Sequence, residues 1–244
     1  MNHTEKKVLG VIGGPGPAAT AYFMDLVIRM TDAATDQEHL EMIVYNCPSI
    51  PDRTGHILDR TKPSPLPAMI RIGKQLAQQG VDHIAIPCMT AHYFYSELKD
   101  GIPVPVVNGL AETARFLKER GITKAGIMAT DGTIASGLFH QALQAEGIQP
   151  IVPSPDRQVD VMHLIYNNIK ANLPAEMDRF HTVSHELKEN GAQAIILGCT
   201  ELSLIKRDHP IGAGFIDAME VLAQQSILHC NGKLKEEYKY LITK

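Results

Sequence analysis

Two cysteines carry the most chemical information in this 244-residue chain. Cys88 follows the apolar run IAIP (residues 84–87) and Cys199 follows IILG (residues 195–198), so each thiol stands just past a short segment that reads as a buried strand. At a strand end that leads into a helix start, a thiol meets unpaired backbone N–H groups and a partial positive charge, which favour the thiolate. The same groups bind a carboxylate. A single buried cysteine is ordinarily a packing residue, but two in matching contexts fit a specific reaction. Inverting a stereocentre by direct proton transfer needs a base on one face of the carbon and an acid on the other. Opposed thiols supply both, in either direction.

The matching extends around the cysteines. In the first half, VLGVIG runs into the loop GGPGPAAT, and QLAQQGVDHIAIPCMTAH later carries helix, strand and Cys88. In the second half, KAGIM runs into ATDGTIASG, and HELKENGAQAIILGCTEL carries helix, strand and Cys199. The cysteines lie 111 positions apart (199 minus 88) and the opening loops, Gly13 and Thr130, 117 (130 minus 13). This is the mark of an internal duplication.

The elements that must position the thiols follow from periodicity. Strands are expected at 8–12, 42–45, 83–86, 104–107, 125–128, 194–197 and 214–216. Helices are expected at 18–32, 65–79, 109–120, 134–145, 158–170, 175–190 and 218–230. Regular alternation predicts an α/β fold: two similar lobes with parallel sheets and the site in the cleft between them. The expected division is residues 1–105 plus 212–244, with the C-terminal helix returning to the first lobe, and residues 106–211 as the second lobe. Cys88 is expected to precede a helix starting near Thr90, and Cys199 to precede a turn, TELS.

Composition excludes broad classes. A net charge of −4 without a Lys/Arg stripe argues against nucleic acid. The N-terminal apolar run is too short for a signal peptide core or a membrane span, so a cytoplasmic protein with reduced thiols is expected. Four cysteines at 47, 88, 199 and 230 form no CxxC pair and suggest neither a zinc site nor a disulfide framework. Cys47 and Cys230 lack duplicated counterparts and read as packing residues. Gly14–Ala19 nominally fits a dinucleotide-binding loop, but two prolines remove N–H groups that would face a pyrophosphate. Cys88 and His92 share a metal-ligand spacing without further ligands, so His92 reads as a structural hydrogen-bonding group. Glu201 reads as a residue that orients its loop. Arg53 is either a carboxylate clamp or the ion-pair partner of Asp52, and Lys170 either a clamp or a solvated helix residue.

The segments GGPGPAAT, PSIPDRT, IPCMTAHYF, ATDGT and GCTEL, in this order and spacing, resemble the aspartate/glutamate racemase family, and among its members most closely the aspartate racemases. The resemblance runs from about Gly10 to Asp217. It implies two Rossmann-like lobes, a two-base mechanism independent of PLP, metal or nucleotide, a small amino-acid substrate and a homodimer. Carried over residue by residue, it makes Cys88 and Cys199 the catalytic thiols. It gives Thr90, Thr200 and the N–H at Met89 to the α-carboxylate, places Thr130 in the substrate site, and makes Arg53 and Lys170 clamps for an acidic side chain.

Three positions depart from the family pattern: Met89 stands where Asn is usual, Pro15 where Met is usual, and Ser49 where Gln is common. Met89 has no donor to offer the bound amino acid. Other reactions of the superfamily, such as hydantoin racemisation, maleate isomerisation or arylmalonate decarboxylation, are therefore weighed beside racemisation. Arg53 disfavours the uncharged hydantoin and the second cysteine disfavours the decarboxylases. A catalytically silent dicarboxylate-binding protein is the alternative from another class.

Overall fold

The computed structural model describes residues 7–244. In the first half, β1 (Leu9–Gly13) leads to α1 (Pro17–Met30), β2 (Met42–Asn46), α2 (Arg53–Leu58), α3 (Leu66–Gln78) and β3 (His83–Ala85). A 3₁₀ turn (Met89–Phe94), α4 (Tyr95–Gly101) and α5 (Gly109–Glu119) follow. The second half begins with β4 (Lys124–Met128), α6 (Asp131–Ala135), α7 (Leu138–Ala145) and β5 (Gln149–Ile151). It continues through α8 (Pro155–Met162), a π-helical segment (His163–Ile169), α9 (Met177–Glu189), β6 (Ala194–Leu197) and α10 (Thr200–Asp208). β7 (Phe215–Asp217) and α11 (Ala218–His229) come last among the strands and long helices.

Two parallel sheets result, ordered β2-β1-β3 and β5-β4-β6-β7. In each, the opening strand is central and the strand that leads to a cysteine lies beside it. The fourth position also has a counterpart, because Val106 bridges in parallel to Ile84 of β3 much as β7 pairs with β6. The duplication read from the sequence is thus a repeat of sheet order.

Several expected elements differ. The strand expected at 104–107 is reduced to a bridge, since Pro103 and Pro105 have no N–H to give; only Ile84 N–H to the Pro105 carbonyl and Val107 N–H to the Ile84 carbonyl form, both at 2.8 Å. The single helix expected at 134–145 is two, α6 and α7, divided at Gly137, whose φ of 67° is left-handed. The helix expected at 158–170 starts earlier and changes to π geometry, with Lys170 N–H donating to the Ile165 carbonyl. β5 was not expected from its short, proline-interrupted sequence. The stretch expected to belong wholly to the first lobe, 212–244, includes β7, which pairs with β6 of the second sheet. α11 packs against α1 and α5.

One apolar core runs between the two sheets. It joins Leu9 and Val11 of β1, Phe23 of α1, Ala125 and Ile127 of β4, Ile196 of β6 and the α11 residues Met219, Leu222, Ala223 and Ile227. Helix α11 is buried on nearly every face from Ala218 to Ala223, which marks it as the central seam of the molecule. Two further clusters cover the outer faces, one under α3 and α4 and one under α8 and α9. Among the described residues, no helix is long and apolar enough to cross a membrane.

Candidate active site

Each cysteine is the N-cap of the helical turn that follows it, with extended backbone: φ −157° at Cys88 and −137° at Cys199. The turns are different. After Cys88 the chain makes a 3₁₀ turn beginning at Met89, while after Cys199, where a simple turn was expected, nine residues form the regular helix α10. Both thiols are 6% exposed.

They line a single cavity. Arg53, Met89, Thr90, Thr130, Lys170 and Thr200 line it as well, so all eight positions named from the sequence meet there. Pro15, Asp52, Thr54, Tyr166 and Glu201 complete the wall. Thr54 closes the PSIPDRT segment but was assigned no role there, and Tyr166 had no distinguishing sequence signal. Glu201, read as a loop-orienting residue, instead places its carboxylate on functional groups: Oε2 accepts the Cys199 S–H at 2.8 Å, and Oε1 pairs with Lys170 Nζ at 3.1 Å.

The loop after β1 reaches the cavity because two glycines take conformations closed to other residues. Gly14 has φ 104° and Gly16 has φ 107°. A Cβ on Gly14 would also meet the Cys47 backbone at 2.2 Å. Pro15 is held between them against the cavity.

Arg53 is buried at the start of α2. It is not ion-paired with Asp52, whose carboxylate instead caps α2 by accepting the Gly55 N–H. Nη1 donates to the Pro51 carbonyl at 3.0 Å, and the buried Nε has no hydrogen-bond partner, leaving a donor for a ligand oxygen. Burial opposes the Arg53 charge, but the adjacent Cys88 sulfur, and then Asp52, outweigh it and hold the guanidinium more firmly protonated than usual. Burial likewise works against the Lys170 ammonium, and Glu201 and the two sulfurs overcome it. The Cys199 thiol is pushed well above its ordinary value, first by burial, then by the Glu201 charge, with Lys170 opposing.

Four hydroxyls meet at the join between the halves. Thr54 donates to Thr130 at 3.1 Å; Thr90 lies 3.2 Å from Thr130 and 3.0 Å from Thr133; and Thr130 is also 3.1 Å from Thr133. Thr54 and Thr90 come from the first half, Thr130 and Thr133 from the second. Gly132 lets the chains approach here, since a Cβ on it would stand 2.9 Å from Thr54 Cα.

His92 has the structural role expected of it. The Gly109 N–H donates to Nε2 at 3.1 Å, so Nδ1 carries the proton and donates to the Cys88 carbonyl at 3.1 Å. Burial lowers its pKa, which keeps the ring neutral while it braces the Cys88 turn.

The sequence description Asp/Glu/Hydantoin racemase matches residues 12–226. An aspartate racemase structure from Picrophilus torridus is 32% identical, with a TM-score of 0.83 over 95% of this chain and 97% of that one. The broad specificity amino-acid racemase RacX of Bacillus subtilis is 27% identical over 224 residues, covering 90% of this chain and 96% of its own. A Francisella tularensis glutamate racemase in complex with D-glutamate shares the fold at 17% identity, TM-score 0.63. With two parallel sheets in repeated order, paired cysteines at equivalent strand ends and a match across most of its length, this chain belongs to the Asp/Glu/Hydantoin racemase family and is an amino-acid racemase.

Proposed function

We propose that the chain interconverts the enantiomers of an acidic amino acid, aspartate or glutamate, by direct proton transfer at Cα between Cys88 and Cys199. The observation that carries this reading is that two thiols from equivalent strand ends line the same cavity as two cations, the buried Arg53 and the partly exposed Lys170. One sulfur, as thiolate, removes the α-proton; the other, as thiol, returns a proton to the opposite face. Backbone N–H groups at Met89, Thr90 and Thr200, with the threonine hydroxyls, hold the α-carboxylate and stabilise charge as it spreads from the carbanion. Arg53 and Lys170 bind the second carboxylate, and the free Arg53 Nε favours a bidentate contact.

A wider substrate range is the second reading. The cavity opens past Arg53, Lys170 and Glu201 into an outer chamber whose apolar wall includes Pro17, Pro48, Ile50, Ile169 and Leu204. Side chains longer than that of aspartate fit that direction, and Met89 is indifferent to charge.

Both readings are tested by incubating the enzyme in D2O with L- and D-aspartate, glutamate and several neutral amino acids. Deuterium should enter Cα with inversion, fastest for the acidic pair. Exchange spread evenly over neutral side chains would favour the wider range, and binding without any exchange would leave only a silent dicarboxylate-binding protein.

A further inference from the structure

The two-thiol scheme gives no task to Glu201, yet its carboxylate is 4% exposed and touches both Cys199 and Lys170. Resting on the racemase reading above, we infer that Glu201 keeps the proton on Cys199, so that the free enzyme waits with Cys199 as its acid and Cys88 as its base. Glu201 acts through the thiol and is a positioning residue.

Two effects of the same sign support this. Ionising a thiol that donates to a carboxylate at 2.8 Å would leave two negative charges in contact at a buried position. Glu201 also engages the Lys170 ammonium, a cation beside Cys199 that would otherwise favour its thiolate. The groups facing the Glu201 carboxylate are Cys199 on its own helix and Lys170 at the end of the π segment; Cys88, Arg53, Asp52 and Tyr166 complete the charged wall. Cys88 has the opposite company, lining the cavity with the buried Arg53 guanidinium.

The chemistry needs such a bias. A pair with no proton has no acid and a pair with two has no base. Separating the two thiols widens the pH range in which one proton is present. In the forward step the Cys88 thiolate takes the α-hydrogen as a proton: the Cα–H bond breaks and an S–H bond forms. The Cys199 S–H then breaks and its proton joins the opposite face of Cα. Cys199 is left as a thiolate beside Glu201, and it regains a proton either from the enantiomer in a reverse turnover or through water, as Cys88 loses its own. Because the two enantiomers are equal in free energy, kcat/KM must be equal in both directions, so the bias is read in the thiols themselves and in kcat and KM separately.

The test follows the ultraviolet absorbance of the thiolate against pH in substrate-free enzyme, taking the difference between each protein and its Cys199→Ala partner. Glu201→Gln should lower the Cys199 midpoint by about one pH unit or more and move the basic limb of the racemisation profile down with it. Lys170→Met, which leaves α10 untouched, should raise the midpoint, and Glu201→Asp should keep part of the wild-type elevation. An unchanged midpoint in Glu201→Gln overturns the inference, as does an unchanged midpoint in Lys170→Met if Glu201→Gln does not fold. No substrate enters the titration, so a wild-type enzyme that exchanges no amino acid would defeat the racemase reading while the midpoint still decides the role of Glu201.

Discussion

The turn after β3 and the turn after β6 are built alike up to the sulfur. Each follows a strand beside the centre of a parallel sheet, each cysteine is an extended N-cap, and each thiol is equally buried. Beyond the sulfur they part. The first turn is 3₁₀, places Met89 in the cavity and is braced from behind by a neutral His92. The second is a regular helix that brings Glu201 onto the thiol and onto Lys170. The repeated architecture fixes where the sulfurs stand, and the residues just after them decide the state in which each sulfur waits.

The largest expected effect breaks this comparison outright. Cys88→Ala and Cys199→Ala should each lower racemisation by about 10²- to 10⁴-fold, and each should retain Cα deuterium exchange with one enantiomer only, a different one in each variant. Exchange of the same enantiomer by both would show that the thiols do not face opposite sides of the carbon. Next is Arg53→Lys, which keeps the charge near Cys88 but loses the planar fork. A fall in kcat/KM for acidic substrates of about ten- to a hundred-fold, from one or two lost charge-assisted hydrogen bonds, is expected in steady-state assays. Met89→Asn gives the first turn a donor and should lower KM for aspartate several-fold, about 1 kcal/mol, with kcat nearly unchanged.

The smallest expected effect concerns the caps that follow the outermost pairing in each half. α5 is capped by neutral Asn108, which accepts the Ala111 N–H, whereas α11 is capped by fully buried Asp217, which accepts the Met219 N–H. Nearby, Glu220 is pushed up to about 7, first by burial and then by the Asp217 charge, against the pull of Lys206. The folded state therefore binds this proton more tightly than the unfolded chain, whose value is near 4.5. That stabilisation is complete below pH 4.5 and is lost as pH rises through about 7. Thermal unfolding should give a falling Tm across this window, and Glu220→Gln should flatten it.

Much of the site was legible because the cysteines sit in two matching contexts, and because Arg53 and the threonines lie in short motifs that resemble those of the racemase family. The strands that carry the cysteines were legible because both are continuous apolar runs. What escaped depends on tertiary contact. Glu201 read as a residue that orients its loop until Lys170 and Cys199 were placed against it. The hydroxyls of Thr54 and Thr133 are common side chains that matter because Gly132 lets the halves close over them. The strand expected at 104–107 failed for a reason already in the sequence, two prolines, whose missing donors outweigh the β propensity of the neighbouring valines.

The π segment before Lys170 can be understood as a phase shift. An α-helix turns by roughly 100° per residue, whereas a helix closed by i to i+5 bonds turns less. Over the seven residues from His163 to Ile169 the lag amounts to roughly a third of a turn. Continued as an ordinary helix, α8 would aim Lys170 along a different radius, away from Glu201. The ammonium's bearing on the cavity is thus set by the winding of the backbone upstream, so shortening this segment by one residue would redirect the charge while leaving every lining side chain in the sequence.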